Sequence, residues 1–146
     1  MTTSNFTTTI LVDNSPEEVF DAINNVSGWW QGEVKGGTTQ VNDEFTYQME
    51  DIHYSKQKLM EVIPNEKMVW LVTDSKLNFT KNKSEWTGTK IIFEISEADG
   101  KTQLHFTHQG LVPEMECYRG CSSGWSSLIQ KSLFSLITTG KGVKVF

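Results

Sequence analysis

The 146-residue chain is poor in several features, and each shortage excludes a class of protein. Two alanines stand against sixteen threonines, a composition that disfavours a helical bundle and favours sheet. Thirteen basic residues against eighteen acidic ones give a net charge of −5, so we expect no nucleic-acid partner. No stretch approaches the roughly 18 apolar residues of a membrane span. The length indicates one domain over 1–146, with its core at about 6–140.

Cysteine is scarce as well, and its placement indicates neither a disulfide nor a metal site. Cys117 and Cys121 are four residues apart, which on a helix gives neighbouring side chains in poor geometry for a disulfide. A second pair of zinc ligands at a recognised spacing is missing, so we predict no metal and no cofactor. The N-terminus lacks the basic start and long apolar run of a secretory signal. We therefore expect a reduced protein of the cytoplasm.

The chain does contain a clear succession of secondary-structure patterns. β-Branched residues over 6–13 predict a first strand. Ser15 and Glu18 form the pattern of a capping box at the start of a helix over about 16–26. Residues 114–139 have the apolar periodicity of a long helix. Between the two helices, alternating or apolar segments predict consecutive strands at 45–49, 59–63, 68–72, 89–95 and 102–108.

Consecutive strands without intervening helices predict an antiparallel sheet, because parallel strands need long crossover connections. The fold class is therefore α+β: a curved antiparallel sheet of six to seven strands wrapped around the long C-terminal helix, with a short helix after the first strand. A sheet wrapped around a helix often leaves a gap between the two layers, which is a natural ligand cavity. The polar stretch 74–85 is predicted to be a flexible hairpin connection.

The order of these elements resembles the helix-grip fold of the START-like superfamily. Within it the chain is most similar to the family named for the activator of the ninety-kilodalton heat-shock chaperone ATPase. The resemblance covers about 6–140 and rests on the order and spacing of short motifs. These are SPEEVFDA at 15–22, WW at 29–30, GG at 36–37, EVIPNEKMVW at 61–70, LHFTHQG at 104–110, and GW at 124–125 with Leu128.

The resemblance implies the fold, and it leaves three functions open, because one fold hosts many functions. The superfamily includes a pollen allergen, polyketide cyclases and lipid-transfer domains. We favour binding of an apolar or aromatic small molecule in the cavity, without catalysis. The alternatives are a cyclase- or hydrolase-like enzyme and a module that contacts a chaperone, as the ATPase activator does. We expect a monomer or a homodimer.

Large aromatic side chains are the first candidates for the cavity wall, since they are rigid and amphipathic. For any single residue core packing is the favoured interpretation, whereas for the whole set we expect some members to line the cavity. The predicted cavity residues are Trp29, Trp30, Tyr47, Met49, Trp70, Phe93, Phe106, His108, Trp125 and Ile129.

Three tryptophans are expected to differ in burial. Trp29 and Trp30 are adjacent, so we expect their side chains to diverge, with one packing inward near the mouth of the cavity. Trp86 is out of phase with Ile91 and Phe93 of the following strand, so we expect it to face outward or towards a partner.

Candidate catalytic groups are few, and we assign none as catalytic. His108 has the inward phase of its strand, where a hydrogen-bonded core histidine is favoured over a catalytic one. Glu61 is either a buried carboxylate or an ordinary surface group, and we favour the surface. An enzyme would need His108 to converge with Glu61 or Tyr47. His105 is expected to face solvent, and His53, in a polar stretch, has no predicted role.

Overall fold

Seven strands form one antiparallel sheet in the computed structural model, which describes residues 5–145 except 31, 79 and 82. The strand order across the sheet is β1-β7-β6-β5-β4-β3-β2, so β1 and β2 are its edges. The strands are β1 (Phe6–Val12), β2 (Glu33–Gly36), β3 (Glu44–Met49), β4 (His53–Ile63), β5 (Lys67–Leu77), β6 (Lys90–Ala98) and β7 (Lys101–Gln109).

Three helices accompany the sheet in the described part of the chain. Helix α1 (Pro16–Asn24) and the single turn α2 (Val26–Trp29) connect β1 to β2. The C-terminal helix α3 is α-helical over Tyr118–Ser127, π-helical over Leu128–Leu133 and α-helical again over Phe134–Thr139. Sheet and helices together confirm the predicted α+β helix-grip class. Among these residues no helix is long and apolar enough to cross a membrane.

Local sequence signals account for the helix ends. Ser15 Oγ accepts a hydrogen bond from the Glu18 backbone N–H at 3.2 Å, and the Glu18 carboxylate accepts one from the Ser15 N–H at 3.1 Å. These two bonds are the predicted capping box, and the one donated by the Ser15 backbone N–H also lowers the pKa of the Glu18 carboxyl group. At the other end of the chain, Gly140 ends α3 with a left-handed φ of 88°, a conformation that glycine adopts without strain.

A β-bulge in β4 decides which way Glu61 points. Leu59 pairs with Trp70 of β5, but Glu61 pairs with Val69, so one extra residue is accommodated between them. The extra residue reverses the inward–outward phase of the strand. Glu61 therefore lies on the outer face, where its carboxylate is 3.8 Å from the Lys67 ammonium group. The surface interpretation of Glu61 is confirmed.

The hydrophobic core lies between the inner face of the sheet and the helices, and it contains both tryptophans of the WW pair. Trp29 and Trp30 are 1% and 2% exposed, and their ring planes are 11° apart. The expectation that only one packs inward is wrong. The pair lies at the end of α2 rather than in a strand, so strand alternation does not separate the two side chains.

The expectation for Trp86 is also wrong, since this side chain is only 3% exposed. Trp86 lies in the turns of residues 83–88, before β6 begins, so the phase of β6 does not govern it. The Glu85 carboxylate accepts hydrogen bonds from the backbone N–H groups of Glu116 and Cys117, at 2.9 and 3.0 Å. These bonds tie the turns to the start of α3 and hold Trp86 against the interior.

The predicted flexible connection at 74–85 is strand in its first part, because β5 continues to Leu77. Its inward residue Ser75 is buried, and its hydroxyl is 2.8 Å from that of Thr87. Residues 79 and 82 of this stretch lie outside the described residues.

Candidate functional site: a cavity between sheet and helix

A cavity of about 360 Å³ lies between the concave face of the sheet and α3. Its volume is near the lower end of the range of roughly 300–1,000 Å³ for small-molecule sites, so it suits a compact ligand. Ile52 and Gly120 are solvent-exposed and mark its mouth. The described residues that line it are Trp30, Tyr47, Met49, Ile52, His53, Trp86, Gly120, Cys121, Gly124, Trp125 and Leu128.

The predicted cavity residues divide into a lining group and a supporting group. The structure places four of them on the wall: Trp30, Tyr47, Met49 and Trp125. The others are buried in the core behind the lining residues: Trp29, Trp70, Phe93, Phe106, Ile129 and His108. The supporting rings pack against the lining residues. For example, the ring centroids of Phe106 and Trp125 are 4.7 Å apart.

Two stacked aromatic pairs form much of the wall. Trp30 and Tyr47 are stacked with ring centroids 3.9 Å apart and planes at 13°. Trp86 and Trp125 are stacked at 5.7 Å, also at 13°. The pairs meet where Trp30 and Trp125 approach to 5.1 Å. The cavity therefore presents flat, rigid and largely apolar surfaces.

His108 serves as a fixed hydrogen-bonding support behind this wall. Its Nδ1 accepts a hydrogen bond from Trp125 Nε1 at 3.0 Å, and an indole nitrogen can only donate. The proton of the neutral imidazole is therefore on Nε2, which lies 2.8 Å from Thr89 Oγ1. The Thr89 hydroxyl in turn donates to the Trp86 carbonyl at 2.6 Å. Both imidazole nitrogens are thus engaged, which leaves none for acid–base chemistry.

Burial keeps His108 uncharged. Desolvation lowers the pKa of His108 to about 3, and the nearby His53 adds to the effect. The favoured prediction, a hydrogen-bonded histidine of the core, describes this geometry.

His53 is the functional candidate that sequence analysis missed. Its ring lies among aromatic wall residues, with centroids 4.6 Å from Trp86 and 5.2 Å from Tyr47. Burial lowers the pKa of His53 to about 4, so it is neutral near pH 7. The sequence does contain a signal for its orientation, because inward positions alternate along β4 from His53 to Leu59. The polar residues at intermediate positions, Ser55 and Gln57, obscured that alternation.

The wall carries no charged side chain among the described residues. Burial raises the pKa of the Tyr47 phenol well above its usual range, which keeps the phenol neutral. Cys121 reaches the cavity, and the buried Cys117 lies one helical turn before it. The neighbouring Cys121 side chain, together with burial, raises the pKa of the Cys117 thiol, so Cys117 does not stand as an activated nucleophile. Both cysteines are free, and the described residues include no cluster of three or more metal-binding side chains.

His108 and Glu61 cannot act as a catalytic pair, because their side chains lie on opposite faces of the sheet. His108 pairs with Ile91 and faces the core, whereas Glu61 faces outward beside Lys67. The geometry supports enclosure of an uncharged molecule between aromatic rings.

The fold and cavity agree with a family match over most of the chain. The model of the family described as "Activator of Hsp90 ATPase homolog 1-like protein" matches residues 13–137. The chain belongs to this family. The resemblance predicted from the sequence motifs is therefore confirmed.

Solved structures share the fold with this family member at low sequence identity. The Aha1 dimer from Colwellia psychrerythraea has a TM-score of 0.76 at 22% identity, covering 95% of this chain and 99% of that one. MLL2253 from Mesorhizobium loti has a TM-score of 0.74 at 13% identity, with 96% and 100% covered. DynU16, from the dynemicin biosynthetic locus, gives 0.67 at 14% identity, with 94% and 48% covered. At these identities the likeness establishes the fold alone, and no curated protein matches the sequence.

Proposed function

We propose that this protein binds a small, uncharged aromatic or apolar molecule in the cavity between the sheet and α3. The observation that carries the proposal is the pair of aromatic stacks around an open volume of about 360 Å³. A buried charge without a partner costs several kcal/mol, so a wall whose described residues carry no charge disfavours charged ligands. Burial of one bicyclic aromatic ligand corresponds to a Kd of roughly 10–100 µM.

Calorimetric titration with naphthalene, compared between two helix variants, tests the proposal. A Cβ atom added at Gly120 would meet nothing within 4 Å, so Gly120→Leu can extend a side chain at the mouth of the cavity. Leucine also has a higher helix propensity than glycine, by about 0.8 kcal/mol, so this variant should fold. We expect it to bind naphthalene at least tenfold more weakly than the wild type.

The matched control is Ser123→Leu, which adds leucine at an exposed position of the same helix, away from the cavity lining. This variant should bind as the wild type does. Absence of naphthalene binding to the wild type, or equal binding to both variants, would refute the proposed cavity function.

The enzyme hypothesis lacks one of its two predicted pairs, because Glu61 and His108 lie on opposite faces of the sheet. For the other pair, His108 with Tyr47, both imidazole nitrogens of His108 are already engaged by Trp125 and Thr89. Contact with a chaperone stays a prediction supported by the family description, which names an activator of the Hsp90 ATPase. Homodimer formation is supported by the Colwellia psychrerythraea structure, which is a dimer. Light scattering of the purified chain separates a homodimer from a monomer.

A further inference from the structure

Two ring nitrogens on the cavity wall have no hydrogen-bond partner in the described part of the chain: Trp30 Nε1 and His53 Nδ1. Neither is sealed off, because the fully buried, unpaired side-chain atoms among the described residues belong to other side chains. Those atoms are Asn24 Oδ1, Gln57 Oε1, Trp70 Nε1 and Trp86 Nε1. The rings of Trp30 and His53 are neighbours, with centroids 6.1 Å apart. Both nitrogens therefore remain available to a molecule in the cavity.

A row of hydrogen-bonded polar side chains on β4 determines which nitrogen of the His53 ring carries the proton. Gln57 Nε2 donates to Ser55 Oγ at 2.5 Å, and Ser55 Oγ is 3.0 Å from His53 Nε2. Ser55 Oγ accepts from Gln57 and can donate its own proton, and we assign that proton to His53 Nε2, the acceptor in range. A neutral imidazole that accepts at Nε2 carries its proton on Nδ1. His53 Nδ1 is then a hydrogen-bond donor, like the indole nitrogen of Trp30.

We propose that the cavity recognises an uncharged aromatic molecule bearing a hydrogen-bond acceptor, such as a ketone oxygen, which His53 Nδ1–H and Trp30 Nε1–H bind. The inference rests on the proposed function and adds a polar selectivity to it. Burial, which lowers the pKa of His53 to about 4, keeps the imidazole neutral near pH 7, so it does not compensate a carboxylate. Ser55 acts as a positioning residue, because it holds the proton of His53 on Nδ1.

Three naphthalene derivatives of similar size test the selectivity: 2-acetylnaphthalene with an acceptor, 2-ethylnaphthalene without one, and 2-naphthoate with a charge. We expect the ketone to bind about tenfold more tightly than the ethyl compound, which corresponds to one hydrogen bond. The carboxylate should bind most weakly. His53→Phe should lower the ketone-to-ethyl ratio, because only the Trp30 donor remains, while ethyl binding persists.

The matched control is His105→Phe on the outer face of β7, which should leave the ratio unchanged. If neither naphthalene derivative binds the wild type, the proposed function itself fails. If the ketone and ethyl compounds bind equally, the cavity function stands and the acceptor selectivity is refuted.

The protonation of His53 and His108 gives a second test that needs no variant to fold. ¹⁵N NMR of the imidazole rings should show His53 protonated on Nδ1 and His108 protonated on Nε2. Ser55→Ala should shift His53 towards a mixture of tautomers and lower the ketone preference, without weakening 2-ethylnaphthalene. A wild-type His53 protonated on Nε2 would overturn the inference.

Discussion

At the scale of single residues, His108 shows how a polar group stabilises an aromatic wall without taking part in chemistry. Its Nδ1 accepts from Trp125 and its Nε2 faces Thr89, so the imidazole fixes the orientation of the Trp125 ring. Replacing it with an apolar residue leaves the Trp125 N–H buried without an acceptor.

We expect His108→Leu to lower the free energy of unfolding by about 2–4 kcal/mol, since it adds an unpaired donor to a packing change. Urea denaturation measures this loss. The control is His105→Leu on the outer face, where the ring is only half-buried, and it should cost less than about 1 kcal/mol. Equal losses in the two variants would contradict the role given to His108.

The buried His108 and the half-buried His53 also predict a pH dependence of stability. The pKa is lowered to about 4 for His53 and about 3 for His108, against about 6.5 in an unfolded chain. The unfolded state therefore binds more protons below pH 6.5, and stability falls as the pH is lowered. Each histidine contributes a slope approaching about 1.4 kcal/mol per pH unit in this window.

Urea midpoints at pH 7.5, 6.5, 5.5 and 5.0 measure the slope before most carboxylates titrate. His53→Phe should reduce the slope, and the remaining slope should belong to His108. Stability that is constant down to pH 5 would contradict the presence of these two neutral histidines.

At the scale of elements, the turns of residues 83–88 hold one wall of the cavity in place. The Glu85 carboxylate accepts from two backbone N–H groups of the segment before α3, and the adjacent Trp86 stacks on Trp125. We expect Glu85→Ala to speed amide exchange at Glu116 and Cys117 by about tenfold, because both lose a charge-assisted hydrogen bond.

Hydrogen exchange followed by NMR measures this effect, and naphthalene affinity should drop in parallel. Glu97→Ala is the control, since Glu97 is an exposed residue of β6. Unchanged amide exchange in Glu85→Ala would contradict the conclusion that the Glu85 carboxylate holds residues 83–88 against the start of α3.

Sequence periodicity predicted the elements where the chain is regular and failed where it is not. Along β7 the strict alternation of inward residues identified His108 correctly. In β4 the bulge near Glu61 interrupts the alternation, and Trp86 lies in turns to which no strand period applies. The π-helical segment Leu128–Leu133 is a further irregularity, which a 3.6-residue period does not reveal.

At the scale of the whole molecule, the antiparallel order of strands and the long final helix follow from the sequence, and the volume between them does not. Core packing and cavity lining use the same aromatic side chains, so composition does not separate Trp30 on the wall from Trp70 behind it. The difference arises from tertiary contacts, such as the small residues Gly120 and Gly124 on the face of α3 that meets the cavity.

The proposed function requires this interior space to be open and to accept an aromatic molecule. Intermolecular nuclear Overhauser effects between bound naphthalene and the protein side chains test it most directly. We predict contacts to Trp30, Tyr47, Trp125 and Leu128, and none to the outer-face residues Val69 and His105. Contacts confined to the outer face, or the absence of any contact at saturating naphthalene, would contradict the account.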